Sequence, residues 1–227
     1  MNIAFIPVRG GSKSIPKKNI KKINGQPLVY WTIKAANNSK YVDEVIVATD
    51  SEEIKNVVLS FGFDKLKVYD RDAKNAQDTS STESVMLEYI NKMDLKNEDY
   101  FILIQATSPL LKSEHIDDMY EALKESKADS IFSCVINKQF HWINTPEGVK
   151  PVNYDYKKRP RRQDFEGLIV ENGACYINTV KNIKLDECRL SGKIISYELP
   201  PETAFEIDEE ADWLIIEALM KRAGLSA

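Results

Sequence analysis

The chain has 227 residues, 43% hydrophobic and 29% charged, with a formal net charge of -4. That length suits one large domain, or a domain with an insertion, able to bury about 70% of its unfolded surface without disulfide staples. The acidic balance excludes a general polyanion binder, so no nucleic-acid partner is expected and any phosphate-bearing ligand is a small one held by a local basic cluster. The three cysteines, Cys134, Cys175 and Cys188, are odd in number and lack C-x-x-C spacing, which points to neither a disulfide framework nor a thiolate metal site. No basic-apolar-small leader pattern is present and no stretch approaches about 18 continuous apolar residues. The expectation is a cytoplasmic protein without a membrane partner.

Residues 2–8 (NIAFIPV) form a short apolar run without helical spacing. They open into Arg9-Gly10-Gly11-Ser12-Lys13-Ser14-Ile15-Pro16-Lys17-Lys18-Asn19, which reads as a buried strand emptying into a basic, glycine-containing loop. The paired glycines are expected to take backbone conformations closed to other residues and to leave room for a bulky ligand. Arg9, Lys13, Lys17 and Lys18 would ring that space with positive charge suited to phosphate. A solvated surface loop is the competing reading, and a nuclear signal on the lysines carries less weight because the cluster follows a buried strand directly.

After a turn at Gly25-Gln26-Pro27, residues 28–36 have the spacing of a helix packed on a sheet, and residues 44–49 (EVIVAT) are a β-branched strand. Asp50 and Ser51 are good cap types for a helix running through Phe61, which Gly62 terminates. A third strand at 66–69 ends in Asp70-Arg71-Asp72, and a hydroxyl-rich loop at 75–83 caps a helix carrying Val85, Met86, Tyr89 and Ile90. Residues 100–104 (YFILI), the most apolar short run, suggest the central strand of a parallel sheet, with Gln105 to Leu111 as a polar turn at its carboxyl end. A helix from Ser113 to about Lys124 and a strand at 130–136 follow.

From about 137 to 170 the alternation dissolves into aromatic, proline and basic residues, an inserted arm expected to cover a site or reach a second subunit. Strands at 174–177 and 194–199 and a terminal helix at 210–222, with Trp213, Leu214, Ile216 and Leu219 on a broad apolar face, complete the chain. The alternation predicts a single α/β domain with a doubly wound, mostly parallel sheet. Its ligand should lie at the carboxyl ends of the strands.

Glu206 and Asp208 are two apart, so on an extended segment both carboxylates face one side, where they would repel without a cation between them. Hard oxygen ligands suit Mg²⁺; the alternative makes Asp208 only the cap of the last helix. The spacing of Gly10-Gly11-Ser12-Lys13 does not fit a P-loop, and no G-x-G-x-x-G occurs. His115 and His141 read as structural or surface residues rather than bases, and Cys175 as a packed core side chain.

Residues 6–20 (IPVRGGSKSIPKKNI) are similar to the signature loop A-R-G-G-S-K-G-I-P-x-K-N of the N-acylneuraminate cytidylyltransferase family. Asp78-Thr79, residues 103–110 (LIQATSPL), Arg162-Gln163, residues 172–177 (NGACYI) and Glu206-Ile207-Asp208 follow in that family's order, so the resemblance covers essentially the whole chain. It implies a Rossmann-like nucleotidyltransferase fold, a homodimer with an exchanged arm, and Mg²⁺- or Mn²⁺-dependent transfer of CMP from CTP to a nonulosonic acid. By position it implies that Arg9, Gly11, Ser12, Lys13, Lys18 and Asn19 hold the triphosphate and cytosine, with Arg71 and Thr82 also on the nucleotide. Arg9, Lys13 and Lys18 would supply the catalytic positive charge. Gln105, Thr107, Ser108 and Arg162 would hold the sugar acid, Arg162 across the dimer, and Asp208 with Glu206 the metal. The chain departs from the family in having Glu206 for an aspartate, Leu111, followed by Lys112, where an arginine usually follows Thr-Ser-Pro-Leu, and Ser14 for a glycine. The expected acceptor is N-acetylneuraminic acid or a relative such as legionaminic, pseudaminic or an octulosonic acid; a non-catalytic nucleotide-binding protein is the reading from another class.

Overall fold

Short β-branched runs alternate with amphipathic helices along most of the chain. The computed structural model describes residues 1–12, 14–77 and 79–225. In chain order it contains β1 (Asn2–Pro7), a small hairpin of β2 (Lys22–Ile23) and β3 (Gln26–Pro27), α1 (Leu28–Asn38), β4 (Glu44–Thr49), α2 (Glu52–Leu59) and β5 (Leu66–Asp70). There follow α3 (Thr82–Lys92), β6 (Tyr100–Ile104), α4 (Ser113–Ser126) and β7 (Ser130–Asn137). A second hairpin, β8 (Trp142–Thr145) and β9 (Gly148–Pro151), leads to β10 (Leu168–Thr179), α5 (Val180–Asp186), β11 (Ile194–Glu198) and α6 (Glu210–Arg222).

Seven strands form one sheet in the order β11-β7-β10-β6-β1-β4-β5. All neighbours pair in parallel except β10, which runs antiparallel to both β6 and β7. The reason is the connection: a β-hairpin, not a crossover helix, joins β7 to β10, so the chain re-enters at the edge it left. The chain winds outward from β1 to β4 and β5, then crosses to β6 on the other side of β1. The order therefore reverses between β1 and β6, the crevice where sheets of this kind bind ligands.

Strand alternation divides the core. Ala4 and Ile6 of β1 face a cluster that includes Val29 and Ile33 of α1 and Ile116, Met119 and Leu123 of α4. Ile3 and Phe5 face the other, with Val85, Met86, Tyr89 and Ile90 of α3 and Val180 and Ile183 of α5. A third cluster lies apart from the sheet: Ile15 and Ile23 from the N-terminal loop and Leu28 and Trp31 of α1 pack with Ile207 and with Trp213, Ile216 and Met220 of α6.

Three expectations are revised. The helix after Ser51 stops at Leu59 rather than Phe61, because Phe61 leaves the helix to pack edge-on against Tyr30. The strand expected at 174–177 is a twelve-residue strand whose outer half is exposed, and the short α5 that follows it was not foreseen. The strand is also irregular: Glu171 pairs with Cys134 but Tyr176 with Phe132, so extra residues of β10 bulge out around Asn172 and Gly173. Asn172 is buried there, its amide donating to Thr203 Oγ1 at 2.9 Å and its carbonyl accepting the Ser133 hydroxyl at 2.6 Å. No helix among the described residues is long and apolar enough to cross a membrane.

Candidate active site

A cleft of about 460 Å³ opens at the carboxyl ends of β1 and β6. One wall is the loop leaving β1, which contributes Arg9, Ser12, Ser14, Lys18 and Asn19. A second wall is the start of α3 with the residues before it, Gln77, Ser80, Ser81 and Thr82. Gln105 and Thr107 come from the turn after β6, Arg71 from the turn after β5, and Asp208 from the segment before α6. The hydroxyl-rich run thus does what its composition suggests. Ser81 caps α3 by accepting the Ser84 amide at 3.0 Å, and the positive end of an eleven-residue helix meets the cleft, a favourable place for phosphate.

The loop is held by its own polar groups. The Gly10 amide donates to Asp50 at 3.0 Å, and the Asn19 side chain donates to the Arg9 carbonyl at 3.1 Å. The expectation for the paired glycines is corrected, since neither has a positive φ. Gly10 is needed instead for close approach, because a Cβ there would lie 3.0 Å from the Ser51 Cβ, while Gly11 has no described atom within 4 Å of such a Cβ and does not line the cleft. Lys17 is also corrected. It turns away from the cleft to pair with Glu53 on α2 at 2.6 Å.

Lys18 does the opposite. Its ammonium, 12% exposed, donates to the Ile207 carbonyl at 2.8 Å and lies 3.3 Å from the Asp208 carboxylate, which is 72% exposed. Ser14, the residue that stands for the family's glycine, donates its hydroxyl to the Asp208 carbonyl. Ile207 is fully buried between the two acids, and its amide donates to the Thr107 carbonyl at 3.0 Å. The acidic segment is thereby tied to both the basic loop and the β6 turn. Asp208 does not cap α6: Glu209 does, in a reciprocal capping box with Asp212.

Burial shifts charged groups of opposite sign in and beside the cleft. Burial pushes the Arg71 guanidinium below its ordinary pKa and Arg9 adds to that, while Asp50 and Glu88 oppose it. Arg71 Nε and Thr107 Oγ1 are buried with no hydrogen-bond partner among the described residues. Burial, then the neighbouring Asp208, push the Glu206 carboxyl upward, with Lys18 opposing. The Glu206 carboxylate sits against Gly173 in the β10 bulge, where φ is 68° and any Cβ would collide with it. The bulge is a cradle for that side chain. No group of three or more potential metal-ligating side chains occurs among the described residues, so Glu206 and Asp208 offer two oxygens-bearing groups and leave the remaining positions to water and phosphate. That donor set fits Mg²⁺ or Mn²⁺ rather than a metal needing a full protein cage.

Of the other expected residues, Ser108 is buried in the β6 turn with its amide bonded to Gln105, outside the cleft, because the turn directs Thr107 rather than Ser108 towards it. Arg162 is exposed on the arm and does not reach this cleft within one chain. Glu206 does not line the cleft; its carboxylate lies against Gly173. Lys13 and Asp78 fall outside the described residues. His115 accepts the Lys112 amide as part of the α4 cap and His141 lies in the arm, so neither enters the cleft. Gln77, Ser80 and Ser81 line the cleft without having been singled out one by one; the hydroxyl-rich loop at 75–83 was the signal for the two serines, and nothing local marks Gln77.

The family model for cytidylyltransferases matches residues 3–187. The chain belongs to the cytidylyltransferase family. It is 38% identical to N-acylneuraminate cytidylyltransferase A of Danio rerio over 97% of its own length, but that match covers 51% of the fish protein. The chain spans about half the length of several such relatives. By contrast it is 31% identical to post-translational flagellin modification protein B of Campylobacter coli, covering 99% of this chain and 97% of that one. It is 30% identical to the pseudaminic acid cytidylyltransferase of Campylobacter jejuni, covering 97% and 96%. Among solved structures, CMP:2-keto-3-deoxy-manno-octonic acid synthetase complexed with CTP superposes with a TM-score of 0.69 at 18% identity, over 98% of this chain and 99% of that one. A 4-diphosphocytidyl-2C-methyl-D-erythritol synthase gives 0.71 at 12% identity, over 96% and 98%. At such identities these two speak to the fold of this cytidylyltransferase, and their α/β architecture is the one described above.

Proposed function

We propose that the chain transfers CMP from CTP to the anomeric hydroxyl of a nonulosonic acid and releases pyrophosphate. The observation that carries this reading is the meeting, in one cleft, of the basic loop, the positive end of α3 and the acidic segment anchored by Lys18. A triphosphate needs the first two, and the third would hold a divalent cation. The names of the relatives at 30–38% identity supply the substrate class.

In this reading the acceptor hydroxyl attacks the α-phosphorus in line with departing pyrophosphate, and no covalent enzyme nucleophile takes part. Arg9, Lys13 and Lys18 neutralise phosphate charge, Ser12 and Asn19 position the nucleotide, and Arg71 and Thr82 bind it from the opposite wall. Gln105 and Thr107 orient the sugar acid. When bound at Asp208 and Glu206, Mg²⁺ or Mn²⁺ would withdraw charge from the phosphate oxygens. Each such electrostatic group, removed from a closed site, costs about 10² to 10³ in rate. Arg162 lies on an arm whose exposed Trp142, Ile143 and Val149 suit a second copy of the chain, so in a homodimer it would serve the partner's cleft. A cytoplasmic location goes with this reading.

Pseudaminic acid is the second acceptor to consider, favoured by the near end-to-end match to the Campylobacter jejuni pseudaminic acid cytidylyltransferase. The test is pyrophosphate release from CTP and Mg²⁺ across N-acetylneuraminic, legionaminic, pseudaminic and octulosonic acids. Turnover with one acid, abolished in Asp208→Ala, is expected. Measurable CTP binding with no turnover on any acid would instead indicate a nucleotide-binding protein.

A further inference from the structure

Behind the Arg71 wall of the cleft lies a carboxylate that the reaction above leaves unused. Glu88, on α3, is buried and fully engaged. Its Oε1 accepts the Tyr69 hydroxyl at 2.7 Å and the Asp72 amide at 2.8 Å, its Oε2 accepts the Asn75 side-chain amide, and Lys92 Nζ is 3.4 Å from Oε1. These donors bracket Arg71 in the chain: Tyr69 two residues before it, Asp72 directly after, and Asn75 at the end of the short turn that follows. Arg71 itself donates its amide to the Thr49 carbonyl at 3.1 Å and its Nη2 to the Asn75 carbonyl. One carboxylate thus grips both sides of Arg71 and the residue whose carbonyl its guanidinium uses.

The charge on Glu88 matters as much as its hydrogen bonds. Burial alone would push its carboxyl upward, but the bonds from Tyr69, Asn75 and Asp72, with Lys92, hold it below its ordinary value, so it is ionised at neutral pH. A buried anion here offsets part of the cost of keeping the Arg71 guanidinium charged in a half-buried cleft that it shares with Arg9. Without it, Arg71 would be both less fixed and less well compensated.

We propose that Glu88 is a positioning residue for nucleotide binding, acting through the Asp72–Asn75 turn to fix the Arg71 guanidinium in the cleft. The proposal rests on the CTP-binding reading. A glutamine at this place can accept from Tyr69 and Asp72 through its carbonyl, but it then turns an N–H₂ group towards the Asn75 amide, donor against donor, and it carries no charge. Glu88→Gln should therefore weaken CTP binding in the presence of Mg²⁺ by about tenfold, the loss expected for one hydrogen bond to a charged group. Asn75→Asp, on a half-exposed turn, sets carboxylate against carboxylate and should give a similar loss.

The decisive readout is a double-mutant cycle by titration calorimetry with CTP and Mg²⁺, each protein first checked for cooperative melting. If Glu88 acts through Arg71, then Arg71→Ala/Glu88→Gln binds no more weakly than Arg71→Ala alone. A general structural role would lower the melting temperature and give additive losses. Additive losses, or a folded Glu88→Gln that binds CTP as tightly as the wild type, overturn the proposal, and Asn75→Asp decides the same question should Glu88→Gln not fold. A wild-type chain that does not bind CTP overturns the functional reading, and this proposal with it; binding by the wild type with unchanged binding by the variants overturns the positioning role alone.

Discussion

Glu206 and Asp208 flank a fully buried isoleucine, so the backbone has no freedom to separate their charges. Glu206 responds with a pKa above its ordinary 4.5, raised first by burial and then by Asp208. The sign of the consequence follows from proton counts. Between 4.5 and the raised value the folded chain holds a proton that the unfolded chain has released, so stability of the free protein falls as pH rises through that window. A cation at the pair needs the deprotonated form, so its stabilising effect grows over the same window. Thermal melts should show the increment from Mg²⁺ with CTP increasing as pH rises through it, and Glu206→Gln should flatten both trends. An increment independent of pH would mean that Glu206 does not face the cation. The pairing itself was legible from the two-residue spacing. The cradle was not: Asn172-Gly173 stood out in the sequence, but only the β10 bulge brings Gly173 under a carboxylate 33 positions later in the chain.

At the scale of elements, α6 is less a surface helix than the floor of the N-terminal loop. Trp213, Ile216 and Met220 bury Ile15 and Ile23, the Lys21 ammonium lies 4.6 Å from the centre of the Trp213 ring, and Asn24 donates to the Leu225 carbonyl at 3.0 Å. Lys18 and Asp208 are held together by this packing. Trp213→Ala should cost about 3 kcal/mol in a urea or thermal unfolding measurement, as truncation of a large buried aromatic does. It should also raise KM for CTP more than KM for the sugar acid if, as proposed, the loop it supports is the one that takes the triphosphate. Equal changes in both KM values would argue that α6 stabilises the fold without shaping the nucleotide site. The helix was evident from its 3.6-residue apolar period, yet its partner was not, since periodicity reports which face is buried and not what buries it. The same gap explains Lys17 and Lys18. Adjacent in sequence and identical in charge, they part company because the backbone turns between them, sending one to α2 and the other to Ile207 and Asp208.

For the whole molecule, the arm is the feature on which the proposed homodimer turns. Trp142, Ile143 and Val149 on the hairpin and Leu168, Ile169 and Val170 on the outer half of β10 are all exposed. A homodimer through the arm predicts that Ile143→Asp with Ile169→Asp converts a dimer to a monomer in light scattering and lowers turnover while leaving CTP binding close to wild type. A monomeric wild type would remove this expectation and, with it, a role for Arg162 in a neighbouring cleft. What the sequence by itself determined was the local and the collinear: the alternation of most strands and helices, which loops fall at the carboxyl ends of strands, and the motifs that mark the family. These depend on periodicity, turn residues and spacing, which are properties of neighbouring residues. Only the tertiary structure decided that β10 runs against its neighbours, that Gly10 serves close packing, that Glu206 rests on Gly173, and that Glu88 grips the turn that carries Arg71. Those depend on contacts between residues far apart in the chain, where packing and the satisfaction of buried charges choose among local options that the sequence leaves equal.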